Sequence, residues 1–169
     1  EVGIVGVKLY YPDDTIQHAG VVVGLGGVAA HVLCKLPRDA EGYMGRLRCV
    51  QEISAVTAAC MMVKTSVFKA VGGFDEELKV AFNDIDLCMK VRKYGVKIVF
   101  TPYAELYHYE SKSRGMEDTP EKQLRFSREV NCFRRKWERE LLKGDPYYNP
   151  NLTLNNTDCS LRKQEKNGD

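Results

Sequence analysis

The sequence predicts an α/β domain, a mixed sheet flanked by helices, and three observations predict it. Two β-rich runs, Val2 to Tyr10 and Val96 to Phe100, read as strands. Two further stretches, Asp84 to Tyr94 and Pro120 to Leu141, repeat apolar residues at helical spacing. Clusters of Gly, Pro and Asp separate these stretches. The 169 residues are 44% hydrophobic and 28% charged, which suits one domain with a core of its own. A net charge of +2 and a pI near 8.2 are too mild for a nucleic-acid partner. Six cysteines, at 34, 49, 60, 88, 132 and 159, form no Cys-x-x-Cys pair and no zinc spacing, so they are expected as reduced, mostly buried thiols of a cytosolic protein. The longest apolar stretch, Ala19 to Ala30, is twelve residues with four glycines, too short to span a bilayer.

Taken in order, the chain enters directly on the strand Val2 to Tyr10, as a segment of a longer protein would. Tyr11-Pro12-Asp13-Asp14-Thr15 is turn chemistry, and Ile16 to Val23 is expected to return as the second strand of a hairpin. Gly24-Leu25-Gly26-Gly27-Val28-Ala29 spells a dinucleotide-loop pattern, but no amphipathic helix follows, so it reads as a close-packed glycine loop. Pro37 to Arg48 is a surface crossing, and Ile53 to Val63 is apolar enough for a central strand. Within it Thr57, Ala58 and Ala59 are small, which serves either dense packing or the close approach of a ligand. Thr65 to Val71 is a short helix, and Gly72-Gly73 a turn that places Phe74 in the core.

A helix is expected from Asn83 or just after, capped by Asn or Asp. At about 100° per residue, Asp84 falls with Cys88 and Val91 on the inward side, while Asp86, Lys90 and Lys93 fall on a polar side. An inward carboxylate at a helix start either caps backbone N–H groups or is held for chemistry. After Gly95, Val96 to Phe100 and Ala104 to Tyr109 read as two strands joined by a Thr101-Pro102 turn, with His108 inward at the end of the second. Glu110 to Gly115 then offers two cations and two hydroxyls to an anionic ligand, or is a solvated loop. Thr119-Pro120 opens a last helix, with Phe126, Val130, Phe133, Trp137 and Leu141 as its packing stripe. Its other side, with Arg125, Arg128, Arg135, Lys136 and Arg139, suits solvent or an anionic membrane surface. Gly144 divides a main part, residues 1–144, from an arm and polar tail, residues 145–169.

Several of these motifs, in this order and spacing, resemble the C-terminal half of the family-two inverting glycosyltransferases with the GT-A fold. They are Val56 to Val63, Val71-Gly72-Gly73-Phe74-Asp75-Glu76, Asn83-Asp84-Ile85-Asp86-Leu87-Cys88 and Tyr107 to Gly115. Gln17-His18-Ala19-Gly20 and Asp145 to Leu152 are similar to the bacterial, rhamnosyltransferase-like subgroup that builds surface polysaccharides. The resemblance implies that Asp84 is the general base for the acceptor hydroxyl and that Asn83 stands where the family has Glu. It implies that His108 is a ligand of Mn²⁺ or Mg²⁺, that Lys112, Ser113 and Arg114 hold the donor phosphates, and that Ala58 and Ala59 lie under the donor sugar. The partners it implies are a nucleotide-sugar donor and a glycan or lipid-linked acceptor, with peripheral contact at the inner membrane face. The family's nucleotide-binding half and its Asp-x-Asp metal motif have no counterpart here. Asp84-Ile85-Asp86 has those letters, but residues two apart on a helix point about 200° apart and cannot share a metal. The chain is therefore expected to be a partial GT-A fold, inactive alone. Two other readings stand beside this one: a non-catalytic carbohydrate-binding or scaffold module of the same fold, and a metal-dependent hydrolase using Asp84, Asp86 and His108.

Overall fold

The computed structural model describes residues 1–109 and 119–163. Strand β1 (Val2–Tyr10) is the centre of a mixed sheet. It runs parallel to β7 (Lys97–Tyr107) on one side. On its other side two short strands share it, both antiparallel: β6 (Met61–Val63) along Ile4 to Gly6, and β2 (Ile16–His18) at Leu9 and Tyr10. Strand β5 (Gln51–Glu52) pairs with β7 at Val99 and Phe100. A separate hairpin joins β3 (Val21–Val23) to β4 (Ala29–His31). The helices are α1 (Thr65–Ala70), α2 (Asn83–Lys93), α3 (Pro120–Lys136) and α4 (Glu138–Lys143). The mixed α/β class is as expected.

Several elements differ from the sequence reading, each for a physical reason. Ile53 to Val63 is not one central strand: Met61 to Val63 pairs with β1, Ala55 makes an isolated antiparallel bridge to Val21, and the Ile53 N–H donates to the Ile98 carbonyl at 3.0 Å. The apolar residues Ile53, Ala55 and Val56 are buried because the segment crosses over the sheet. The crossing is possible at Gly6, where a Cβ would stand 2.3 Å from Val56 Cγ1. Ile16 to Val23 is broken at Gly20, whose φ of 106° turns the chain from the main sheet into the hairpin. The Gly24–Ala29 stretch is that hairpin's turn. Thr101-Pro102 is no turn either: β7 continues through it, and its register on β1 slips from Val7↔Thr101 to Lys8↔Glu105, a bulge that absorbs the extra residues.

Phe74 is 46% exposed and stacks edge-on against Phe68 rather than entering the core. The face of β7 on which His108 is expected inward is open at Leu106, two residues earlier, which is 47% exposed. The last helix breaks at Trp137, where ψ is 23°, into α3 and α4. Its stripe is buried at Phe133 and Trp137 and exposed at Phe126. Of the six cysteines only Cys88 and Cys159 are buried, and Cys49 is exposed. The arm after Gly144 packs on the body: Asp145 Oδ2 accepts the Val23 N–H at 2.8 Å, Tyr148 and Leu152 are buried, and Leu33 N–H donates to the Thr157 carbonyl at 2.6 Å. No helix among the described residues is long and apolar enough to cross a membrane.

Candidate functional site

Asp84 stands in the first turn of α2, and two neighbours fix it there. Phe82, at the N-cap, has φ 63° and ψ 4°, a left-handed conformation unusual for a bulky residue. Its ring lies between those of Phe126 and Phe133, at centroid distances of 5.8 and 5.4 Å, which holds the backbone in that reversal. No Asn or Asp side chain occupies the N-cap; instead Asp84 Oδ1 accepts the Ile85 N–H at 2.9 Å. Its other oxygen, Oδ2, accepts the Ala58 N–H at 2.9 Å. Each carboxylate oxygen has two acceptor sites, so both retain one for a ligand. The partner turn is itself braced, Thr57 Oγ1 accepting the Ala59 N–H at 3.3 Å. Below it Cys88 packs against the Val56 backbone, and burial pushes its thiol up to about 12. Ala58 and Ala59 are exposed, which excludes dense core packing as the reason for their size.

Asp86 behaves oppositely to the amphipathic reading, which gave it a polar face. It is fully buried, accepting the Trp137 indole N–H at 2.8 Å and pairing with Lys136 at 2.8 Å and Lys90 at 3.3 Å. Helix α3 and Trp137 cover that side of α2, a second layer that periodicity along one helix does not reveal. Lys136, placed by sequence on the outer cationic face, turns in to meet Asp86 and Asp75.

Asp84, Asn83, Ala58, Ala59 and His108 line one cleft of about 590 Å³. His108, just past the end of β7, donates its backbone N–H to the Tyr10 carbonyl at 3.0 Å, and its Nδ1 lies 2.8 Å from Gln17 Oε1. The Gln17 amide in turn donates to the His108 carbonyl at 3.3 Å, so the imidazole is oriented from two points. With Nδ1–H given to Gln17, Nε2 carries the lone pair that a metal ligand needs. Polar side chains of the remaining wall are Tyr11, Gln17, His31, Cys34, Thr57 and Thr157, and Ala30 and Val80 add apolar surface. Among the described residues no Lys or Arg lines the cleft, and Asp84 is its one carboxylate. Lys112, Ser113 and Arg114, expected to hold phosphates, lie outside the described residues. Among the described residues no group of three or more His, Cys, Asp or Glu side chains could hold a metal ion. His108 and Asp84 are too few to bind Mn²⁺ or Mg²⁺ by themselves.

Sequence reasoning missed Gln17 and His31 as parts of this site, and His18 buried behind them. Gln17 and His18 lie on β2 and His31 on β4, and only the Gly20 turn brings the two strands to one place. The available signal was the polar pair Gln17-His18 set inside an otherwise apolar extended run.

Comparison with known proteins finds similarity to an uncharacterized protein, to an O-antigen biosynthesis protein and, over part of the chain, to a rhamnosyltransferase. It is 59% identical over 161 residues to an uncharacterized protein, y4gI, of Sinorhizobium fredii, covering 95% of this chain and 18% of that protein. It is 40% identical over 170 residues to the O-antigen biosynthesis protein RfbC of Myxococcus xanthus, covering 100% of this chain and 13% of that protein. Over 62 residues, 37% of this chain and 20% of the relative, it is 36% identical to the N-acetylglucosaminyl-diphospho-decaprenol L-rhamnosyltransferase of Mycobacterium tuberculosis. The chain thus spans about a fifth or less of the length of these curated relatives. No protein-family model matches it. No solved structure matches it significantly.

Proposed function

We propose that this chain carries the sugar-transfer site of a glycosyltransferase of surface-polysaccharide synthesis, as the base-bearing, acceptor-side part of a GT-A fold. The observation that carries this reading is the cleft around Asp84: one carboxylate, oriented by two backbone N–H groups, among hydroxyl, amide and imidazole groups with the small apolar surfaces of Ala30, Ala58 and Ala59. Such a lining suits the hydroxyls of a sugar. The names borne by the relatives from Myxococcus xanthus and Mycobacterium tuberculosis support the same class.

In this reading the acceptor is a glycan or lipid-linked hydroxyl and the donor a nucleotide sugar. Asp84 takes the proton from the acceptor hydroxyl as its oxygen attacks the anomeric carbon. The new C–O bond forms on the face opposite the leaving nucleoside diphosphate, the old C–O bond breaks, and configuration inverts. Ala58 and Ala59, without bulk, leave room for the sugar ring beside Asp84. A divalent cation would neutralise the leaving diphosphate. Toward it this chain offers the Nε2 of His108, and other donors would have to complete the site. In this reading the reaction takes place on the cytoplasmic side of the membrane.

A non-catalytic sugar-binding module is the second reading: the same cleft of hydroxyl, amide and imidazole groups would hold a sugar without reacting with it. The test is consumption of a panel of UDP-, dTDP- and GDP-sugars by the full-length protein that contains this chain, with and without Mn²⁺. Metal-dependent consumption of one donor, falling sharply in His108→Ala, is the expected result. If no donor is consumed while free sugars bind, the module reading replaces this one.

A further inference from the structure

His31 lines the cleft and His18 lies buried behind it, a pair of histidines that the transfer chemistry does not use. His18, at the end of β2, is fully buried, and its ring meets that of His31 edge-on with centroids 4.8 Å apart. Nδ1 of His18 is 3.2 Å from Nδ1 of His31, and the Thr57 N–H donates to Nε2 of His18 at 3.4 Å. A backbone N–H has a fixed direction, so Nε2 of His18 must present its lone pair. The single proton of the neutral ring then sits on Nδ1, from which it is donated to His31. The Gln17 carbonyl, 3.1 Å from the same His31 nitrogen, also receives the Cys34 thiol at 3.1 Å, so it has a donor without a proton from His31.

Thr57 opens the turn that holds Asp84. One peptide further on, the Ala58 N–H donates to Asp84 Oδ2, and the Thr57 hydroxyl oxygen closes the turn on the Ala59 N–H. Holding the Thr57 amide therefore restricts where the Ala58 N–H can point. We propose that His18 is a positioning residue for Asp84: a neutral imidazole with its proton on Nδ1, it holds the Thr57 amide and, through the Thr57–Ala59 turn, aims the carboxylate into the cleft. The proposal rests on the reading of Asp84 as the proton acceptor. His18 itself meets no substrate. Burial, and after it the neighbouring His31, keeps this imidazole neutral far below the ordinary histidine range, so the required form is present throughout physiological pH.

The test is NMR of the 169-residue chain, free of donor and acceptor. The long-range imidazole spectrum is expected to show His18 as the Nδ1–H tautomer, unchanged between about pH 8 and about pH 6. His18→Phe keeps a ring but no acceptor. It should speed exchange of the Thr57 amide about tenfold and move the Ala58 amide and Asp84 carboxyl resonances. His18→Gln, whose side-chain carbonyl can accept, should return them toward wild type. An Nε2–H tautomer in the wild type, or Ala58 and Asp84 resonances unmoved in His18→Phe, overturns the proposal. Should His18→Phe not fold, the wild-type tautomer and the His18→Gln spectrum still decide it. These signals need no turnover, so failure of the full-length protein to consume any donor would count against the transferase reading alone.

Discussion

His18 binds a proton less readily in the folded chain than in the unfolded one, because burial and then His31 penalise the imidazolium. Between its ordinary value of 6.5 and the lower folded value, the unfolded chain holds more protons, so stability must fall as pH falls. Above that ordinary value the residue adds no slope. The loss approaches about 1.4 kcal/mol for each pH unit once the unfolded ring is protonated. The urea midpoint of the wild type should therefore decline between about pH 6.5 and about pH 5, and His18→Gln should decline less. Parallel curves for the two would show that His18 is protonated in the fold as easily as outside it. Asp84 and Asp86, two residues apart, make the complementary point about carboxylates. Asp84 keeps an acceptor site on each oxygen open to a cleft, whereas Asp86 is consumed by Trp137, Lys136 and Lys90.

Asp86 is also what ties one element to another. Through Trp137 and Lys136 it joins the start of α2 to the junction of α3 and α4, and α3 in turn supplies Phe133 and Phe126 to the ring stack that holds Phe82. Glu129 of α3 adds a second tie, accepting the backbone N–H groups of Val80 and Ala81 just before α2. Asp86→Ala would leave the buried Trp137 N–H without its acceptor, while Lys136 keeps Asp75 and Lys90 keeps the Gly73 carbonyl, a loss of about 1–3 kcal/mol. Urea unfolding measures it, and a loss under about 1 kcal/mol would mean the network is worth no more than a surface ion pair. Helix α2 and the Asn83-Asp84 start were legible in the sequence because a local signal, an acidic turn followed by an apolar stripe, specifies them. The inward face of Asp86 was not, because it depends on a helix 34 residues further on, Asp86 to Pro120. Ile53 to Val63 misled for a related reason: a crossing segment buries its side chains as a central strand does, and only its pairing tells them apart.

At the scale of the molecule, the sheet brings chain-distant pieces to one opening. Strand β2 contributes Gln17 and His18, the crossing segment Thr57 to Ala59, α2 Asn83 and Asp84, and the end of β7 His108. The parallel pairing of β1 with β7 places Tyr10 beside Tyr107 and so brings His108 within reach of Gln17. Most of the sequence-derived site residues among the described positions meet here because their motifs sit at the ends of elements. The histidine pair stayed hidden because it forms only after Gly20 turns β3 away from β2. The transferase reading turns on Asp84 accepting the acceptor's proton in this cleft. It is tested most directly by the rate of sugar transfer to a hydroxyl acceptor in the full-length protein, wild type against Asp84→Asn, with the two unfolding temperatures compared. A fall of about 10²–10⁴-fold in kcat is expected, with little change in the KM for donor and in unfolding temperature. An Asp84→Asn protein that folds and transfers sugar at the wild-type rate would contradict it.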